Sequence, residues 1–200
     1  MKVGLTGGIG CGKSTVVAFF REAGWRTVES DQVVRELLDH DAGIQGALRQ
    51  RWGAEIFLTD GTTDRAKIAG QVFQNEAELR WLEALLHPRV REVWQGAIEA
   101  EPGADWLIEI PLLFEKSLET VFDFTVCISS PPAVVESRMA ARGYTAEEVD
   151  RRRQRQMPLE EKMRRADFVI TNAGSLEFLE QQTGRLIAQI TENDSSCAPD

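Results

Sequence analysis

The chain has 200 residues, 42% hydrophobic and 28% charged, with a formal net charge of -9. That profile is expected of a soluble globular domain large enough to bury a core without a disulfide or metal staple. The acidic balance argues against a nucleic-acid-binding surface, and no run of about 18 apolar residues is present to span a membrane.

In chain order, residues 2–6 read as a short buried strand, followed by a glycine-rich loop and a helix over about residues 13–23. Val16, Val17, Phe19 and Phe20 give that helix its apolar face and Gly24 stops it. Residues 26–29 form a second strand, ending at Ser30 and Asp31. A largely helical stretch follows to about residue 99, with breaks expected near Gly43, Gly53, the turn at Asp60 and Pro88. Within it Asp64 can cap a helix running through Ile68, Val72 and Phe73. Leu79, Leu82, Leu85 and Leu86 line the next helix, and His87-Pro88 is expected to restart the chain as a further one.

Residues 106–110 and 124–129 are apolar runs of strand length, and Ser130-Pro131-Pro132 launches a helix over Val134, Val135 and Met139. Thr145 with Glu148 has the capping-box pattern for an arginine-bearing helix. Residues 168–171 form the last strand. Ser175 starts a closing helix with Leu176, Leu179, Leu186 and Ile187 on its apolar side. Strands separated by helices predict an α/β fold: a three-layer α/β/α architecture with a five-stranded parallel sheet. One domain is expected over 1–190, with a core (about 1–30, 103–137 and 166–190), a helical substrate-binding insertion (about 31–102) and a helical lid (about 138–165). Residues 191–200 are expected to be a disordered tail. Cys11, Cys127 and Cys197 show no ligand or framework spacing. With no basic leader before the first strand, the expectation is a cytoplasmic monomer.

Residues 7–14, Gly7-Gly8-Ile9-Gly10-Cys11-Gly12-Lys13-Ser14, satisfy G-x-x-x-x-G-K-[ST] in full. Such glycines let backbone N–H groups turn inward around phosphate oxygens, and the loop feeds a helix amino end that favours an anion. Gly8, Gly10, Cys11, Gly12, Lys13, Ser14 and Thr15 are therefore candidate nucleotide contacts. Lys13 would face the outer phosphates, and the Ser14 hydroxyl could hold Mg2+. Cys11 stands at a helix start, where a thiol pKa can be lowered.

Asp31, just past the second strand, can take the proton of an acceptor hydroxyl or orient it, and can equally cap a helix. Glu109 stands inside an apolar strand, where a carboxylate needs a cation; it is a candidate to hold Mg2+ through a water, or a structural ion pair. Residues 138–165 carry nine basic and five acidic side chains, so this segment is +4 while the rest of the chain is -13. It reads either as a solvated helix or as a local phosphate patch, with Arg138, Arg142 and Arg152 able to bind phosphate oxygens bidentately. His87 reads as structural or substrate-contacting rather than as a metal ligand.

With these residues in place, the chain resembles the dephospho-coenzyme A kinase family over about residues 1–190. The likeness lies in the loop at 3–14, Glu29-Ser30-Asp31 where the family often has Asp-x-Asp, Leu85-Leu86-His87-Pro88, and Pro111-Leu112-Leu113 leading to Glu115. It continues in Arg142-Gly143, Arg152, residues 156–162 beginning at Gln156, and residues 166–172 ending at Asn172. The resemblance implies ATP as phosphate donor, Mg2+, and dephospho-coenzyme A as acceptor at its ribose 3′-hydroxyl. It further implies a catalytic role for Asp31, Lys13 and Arg142, and acceptor contacts at His87, Pro111, Leu112, Leu113, Arg138, Arg152 and Gln156. Asn172 is implied to lie near adenine. Two other readings remain open at this level: a P-loop kinase for a nucleoside monophosphate or small alcohol, and a nucleotide-gated switch. The switch lacks an Asn-Lys-x-Asp guanine-reading segment.

Overall fold

The strands Lys2–Gly7 (β1), Arg26–Glu29 (β2), Trp106–Glu109 (β3), Phe124–Ser129 (β4) and Phe168–Thr171 (β5) form one sheet. Its order is β2-β3-β1-β4-β5 and all neighbours are parallel. The structure, a computed structural model, describes residues 1–73 and 75–195. Parallel strands covered on both faces carry apolar side chains without alternation. That explains β3, buried at all four positions, and Val3, Leu5, Val126 and Ile128 at 0% exposure. Helices on both faces of the sheet complete the expected three-layer α/β/α fold.

The Cα atoms separate into two compact units, residues 1–29 with 103 onward, and residues 30–102. The first unit holds the sheet. Its helix Lys13–Glu22 (α1) buries Val16, Val17 and Phe20, and Phe20 meets Trp25 edge to face at 5.0 Å. After β4 come Pro132–Ala141 (α6), Ala146–Gln154 (α7), Leu159–Arg165 (α8) and, after β5, Leu176–Ser195 (α9). The Thr145 capping box is formed: Thr145 Oγ1 accepts from Glu148 N at 3.2 Å, and Thr145 N donates to Glu148 Oε2 at 2.8 Å. The single arginine-bearing helix expected from the sequence is two. Pro158 supplies no backbone N–H to continue α7, and Met157 N donates instead to Glu115 Oε1 at 2.8 Å.

The second unit contains Ser30–His40 (α2), Ala42–Trp52 (α3), a 3₁₀ turn at Ala54–Ile56, Arg65–Phe73 (α4) and Glu76–Ala100 (α5). Its core gathers Leu38, Ile44, Leu48, Trp52, Ile56, Ile68, Val72, Leu82 and Leu86. Asp64 caps α4 as expected, accepting from Ala66 N at 3.1 Å and Lys67 N at 3.2 Å.

Four expectations are corrected here. The break placed at Gly43 falls at Asp41, whose side chain caps α3 by accepting from Ile44 N at 2.8 Å. Pro88 does not restart a helix: α5 runs through it. In α9, Leu176 is 60% exposed while Leu179, Leu186 and Ile190 are buried, so its inward face starts one turn later. That helix also extends through Ser195, so residues 191–195 are helical rather than a disordered tail. Residues 196–200, also expected to be disordered, lie outside the described residues.

Candidate active site

β1 ends at Gly7 and α1 begins at Lys13. The turn between them requires a left-handed residue, and Gly12 supplies it with φ 99° and ψ 29° as the cap of α1. A side chain at Gly12 would also overlap the Asn172 amide. The first backbone N–H groups of a helix have no intrahelical acceptor, and no acidic residue occupies the first turn of α1. The amino end of the helix therefore keeps its full positive character for an anion.

Lys13 folds back over its own loop. Its Nζ donates to the carbonyls of Gly7 at 3.3 Å and Gly8 at 3.2 Å, and lies 3.9 Å from Glu109 Oε1. The side chains are 15% and 5% exposed, so the ammonium is the cation that a carboxylate in an apolar strand needs. Parallel register delivers the pair, because Leu5 of β1 is aligned with Glu109 of β3, two residues before the end of one strand and at the end of its neighbour. Ser14 is exposed and Thr15 half-buried beside it.

A pocket of about 150 Å³ runs alongside the loop, lined by Gly10, Gly12, Thr15, Arg138, Arg142, Asn172, Gly174, Leu176 and Leu179. Arg138, Arg142 and Asn172, drawn from α6 and the exit of β5, thus join the loop in one place. Buried Asn172 ties them together: Nδ2 donates to Cys11 O at 2.9 Å and Oδ1 accepts from Arg138 Nη2 at 3.0 Å. Ser130, which sequence reasoning treated only as a strand end, bridges the same groups. Its Oγ donates to Asn172 O at 2.8 Å, lies 3.2 Å from Cys11 O, and accepts from Arg138 Nη1 at 3.2 Å. Arg142, at the end of α6, is exposed toward the pocket.

Cys11 is 1% exposed, and burial pushes its thiol pKa up, with the nearby Lys13 charge opposing. The lowering anticipated for a thiol at a helix start is therefore overturned, since loss of hydration outweighs the helix field. Cys11 can meet a nucleotide through its backbone only.

Pro111 and Leu112 are half-buried, but Leu113 is 0% exposed. The turn after β3 (Lys116 N to Leu112 O at 3.1 Å) carries Leu113 inward to fill the space left above Gly4. Leu113 is thus a core residue and not a surface for the acceptor. Arg152 stacks over Tyr144 at 5.0 Å, and Gln156 is half-buried in the bend between α7 and α8. In the second unit, Asp31 is exposed in the first turn of α2 and His87 is half-buried midway along α5.

Glu115 and Lys162 end the two segments that the resemblance assigned to the acceptor site and the lid, with no individual role given to either side chain. In the structure they are paired at 2.9 Å, with Lys162 Nζ also donating to Pro111 O at 2.6 Å. No sequence signal separates this buried lysine from the solvated cations around it, because only burial distinguishes them.

Comparison with known proteins places the chain in one family. The family model described as dephospho-CoA kinase matches residues 1–177. The Aquifex aeolicus dephospho-CoA kinase is 33% identical over 193 residues, 96% of this chain and 98% of the relative. A Thermus thermophilus crystal structure is 35% identical with a TM-score of 0.79, over 94% of this chain and 97% of that one. The dephospho-CoA kinase from Campylobacter jejuni superposes with a TM-score of 0.71 at 25% identity, over 97% of this chain and all (100%) of that one.

Proposed function

The chain belongs to the dephospho-CoA kinase family, and we propose that it performs the family's ATP-dependent phosphoryl transfer with Lys13 at the donor phosphates and Asp31 at the acceptor hydroxyl. The observation that carries this reading is the phosphate loop: a left-handed Gly12 opening α1, and Lys13 held by Gly7, Gly8 and Glu109.

The loop's N–H groups and α1 would cradle the phosphates of ATP. Lys13 would exchange its carbonyl contacts for γ-phosphate oxygens, a stronger charge-assisted pairing. The acceptor is the ribose 3′-hydroxyl of dephospho-CoA. Its oxygen forms a bond to the γ-phosphorus as the bond from that phosphorus to the bridging oxygen of ADP breaks. The hydroxyl proton passes to Asp31 or to solvent that Asp31 orients. Support for Asp31 is its place in the chain, two residues beyond β2, whose last residue Glu29 is in register with Glu109.

The Ser14 hydroxyl and Glu109 carboxylate suit Mg2+, which takes few protein oxygens and completes its shell with phosphates and water. When bound, the ion would neutralise charge building on the phosphate oxygens. The pocket beside the loop gives Arg142 access to a nucleotide, and Arg138, fixed by Asn172 and Ser130, stands on the same side. That location favours the ATP side for Arg138, whereas the sequence suggested an acceptor contact.

The test is acceptor-dependent ADP production by the purified chain, with dephospho-CoA compared against nucleoside monophosphates. The expected result is turnover confined to dephospho-CoA, with a product heavier by one phosphoryl group. Turnover confined to a nucleoside monophosphate would overturn the reading, as would ATP binding without any acceptor-dependent ADP.

A further inference from the structure

We propose that Glu115 and Lys162 are a positioning pair that locks the exit of β3, and with it Glu109 and Lys13, to the phosphate loop. The inference rests on the kinase reading above and adds two residues to the machinery that reading requires.

Lys162 is 0% exposed on a short helix otherwise rich in solvated charge. Its Nζ meets Pro111 O at 2.6 Å and Glu115 Oε1 at 2.9 Å. Pro111 follows Glu109 by two residues, and its carbonyl also accepts from Thr6 Oγ1 at 3.2 Å. Thr6 is itself fully buried and immediately precedes the loop. Between them, Ile110 N donates to Leu5 O at 2.8 Å. The backbone that carries Glu109 is therefore tied to the end of β1 by Thr6 and Ile110, and to α8 by the Lys162 ammonium.

The other end of α8 reaches the loop directly. A Cβ built at Gly8 would lie 3.6 Å from Leu159 Cδ2, so Leu159 packs against that backbone. The approach to α8 is held by the same carboxylate, since Met157 N donates to Glu115 Oε1 at 2.8 Å. Glu115 thus receives both an ammonium and a backbone N–H on one oxygen, while its buried Oε2 has no hydrogen-bond partner among the described residues.

A half-satisfied buried ion pair is a poor stabilising device, because desolvation consumes most of the Coulomb attraction and apolar residues of like volume often serve as well. What an ion pair adds is direction: two charge-assisted bonds define where Pro111 O and Met157 N must lie. Placement matters most for phosphoryl transfer, where misplacing a group by about 1 Å can cost about 100-fold in rate.

The test compares the parent with the double variant Glu115→Gln/Lys162→Met, which leaves no lone buried charge. Steady-state kinetics with ATP and dephospho-CoA, below the melting temperature of each, are paired with amide hydrogen exchange. The expected result for the double variant is a fall in kcat of fivefold or more, with KM for ATP within threefold of the parent. Exchange at residues 8–14 should also quicken. A fall in kcat below fivefold overturns the proposal, as does unchanged exchange in the loop. Parent turnover reports on the kinase reading, whereas the variant-to-parent ratio and the exchange data report on the pair.

Discussion

The Lys13 ammonium is held by two carbonyls at 3.3 and 3.2 Å and a carboxylate at 3.9 Å, contacts that a phosphate can displace with shorter, charge-assisted ones. Asp31 is exposed at the start of α2, where nothing in its own turn commits the carboxylate. Asp31→Asn preserves shape but removes the acceptor for the hydroxyl proton. It should lower kcat by about 100-fold or more, the scale of lost general-base catalysis, and leave ATP affinity within threefold by calorimetric titration. Turnover near that of the parent would remove Asp31 from the reaction. A different residue contributes to alkaline behaviour. Burial raises the Cys127 pKa from 9.0 to about 12, so between these values the unfolded chain has released a proton that the native state keeps. Native stability gains from Cys127 below pH 9.0 and loses that gain as pH climbs toward about 12. In urea titrations the parent's margin over Cys127→Ala should therefore narrow across that range, and a constant margin would contradict it.

Helix α5 shows how element-level signals compete. Its apolar residues Leu82, Leu86, Val90 and Trp94 recur every four positions on both sides of Pro88, and all four are buried. Burial of that continuous face offsets the missing N–H of Pro88, whereas the local rule alone foretells a break. Replacing Pro88 with Ala returns a donor to the Ala84 carbonyl on an exposed face. It should raise stability by about 1–3 kcal/mol, seen as a higher melting temperature; a lower one would mean the helix is built around the proline. The capping signals were more dependable. Asp64 and the Thr145–Glu148 box act as read, because a cap needs only neighbours within one turn. Leu113 and Leu176 were misread for the opposite reason, since their surroundings come from strands and helices distant in sequence.

At the scale of the whole molecule, a chain of charge -9 concentrates cations in residues 138–165, and both substrates of the reaction are polyanions. Attraction between exposed charges is screened over about 10 Å at 0.1 M salt. Raising NaCl from about 0.02 to 0.3 M should therefore lower kcat/KM for ATP several-fold, mainly through KM. A flat salt profile would show that this segment does not gather the phosphates. The sequence by itself determined the phosphate loop, the strand–helix alternation of the sheet-bearing unit and the family, because each is written in contiguous residues whose chemistry is local. Only the tertiary structure decided that Asn172 and Ser130 fasten Arg138 to the loop, that Lys13 meets Glu109, and that Cys11 is buried with its thiol pKa raised. The Glu115–Lys162 pair belongs with them. Parallel strands joined by long crossovers bring together side chains separated by tens of residues, and no pattern along the chain encodes which of many like charges will be the buried one.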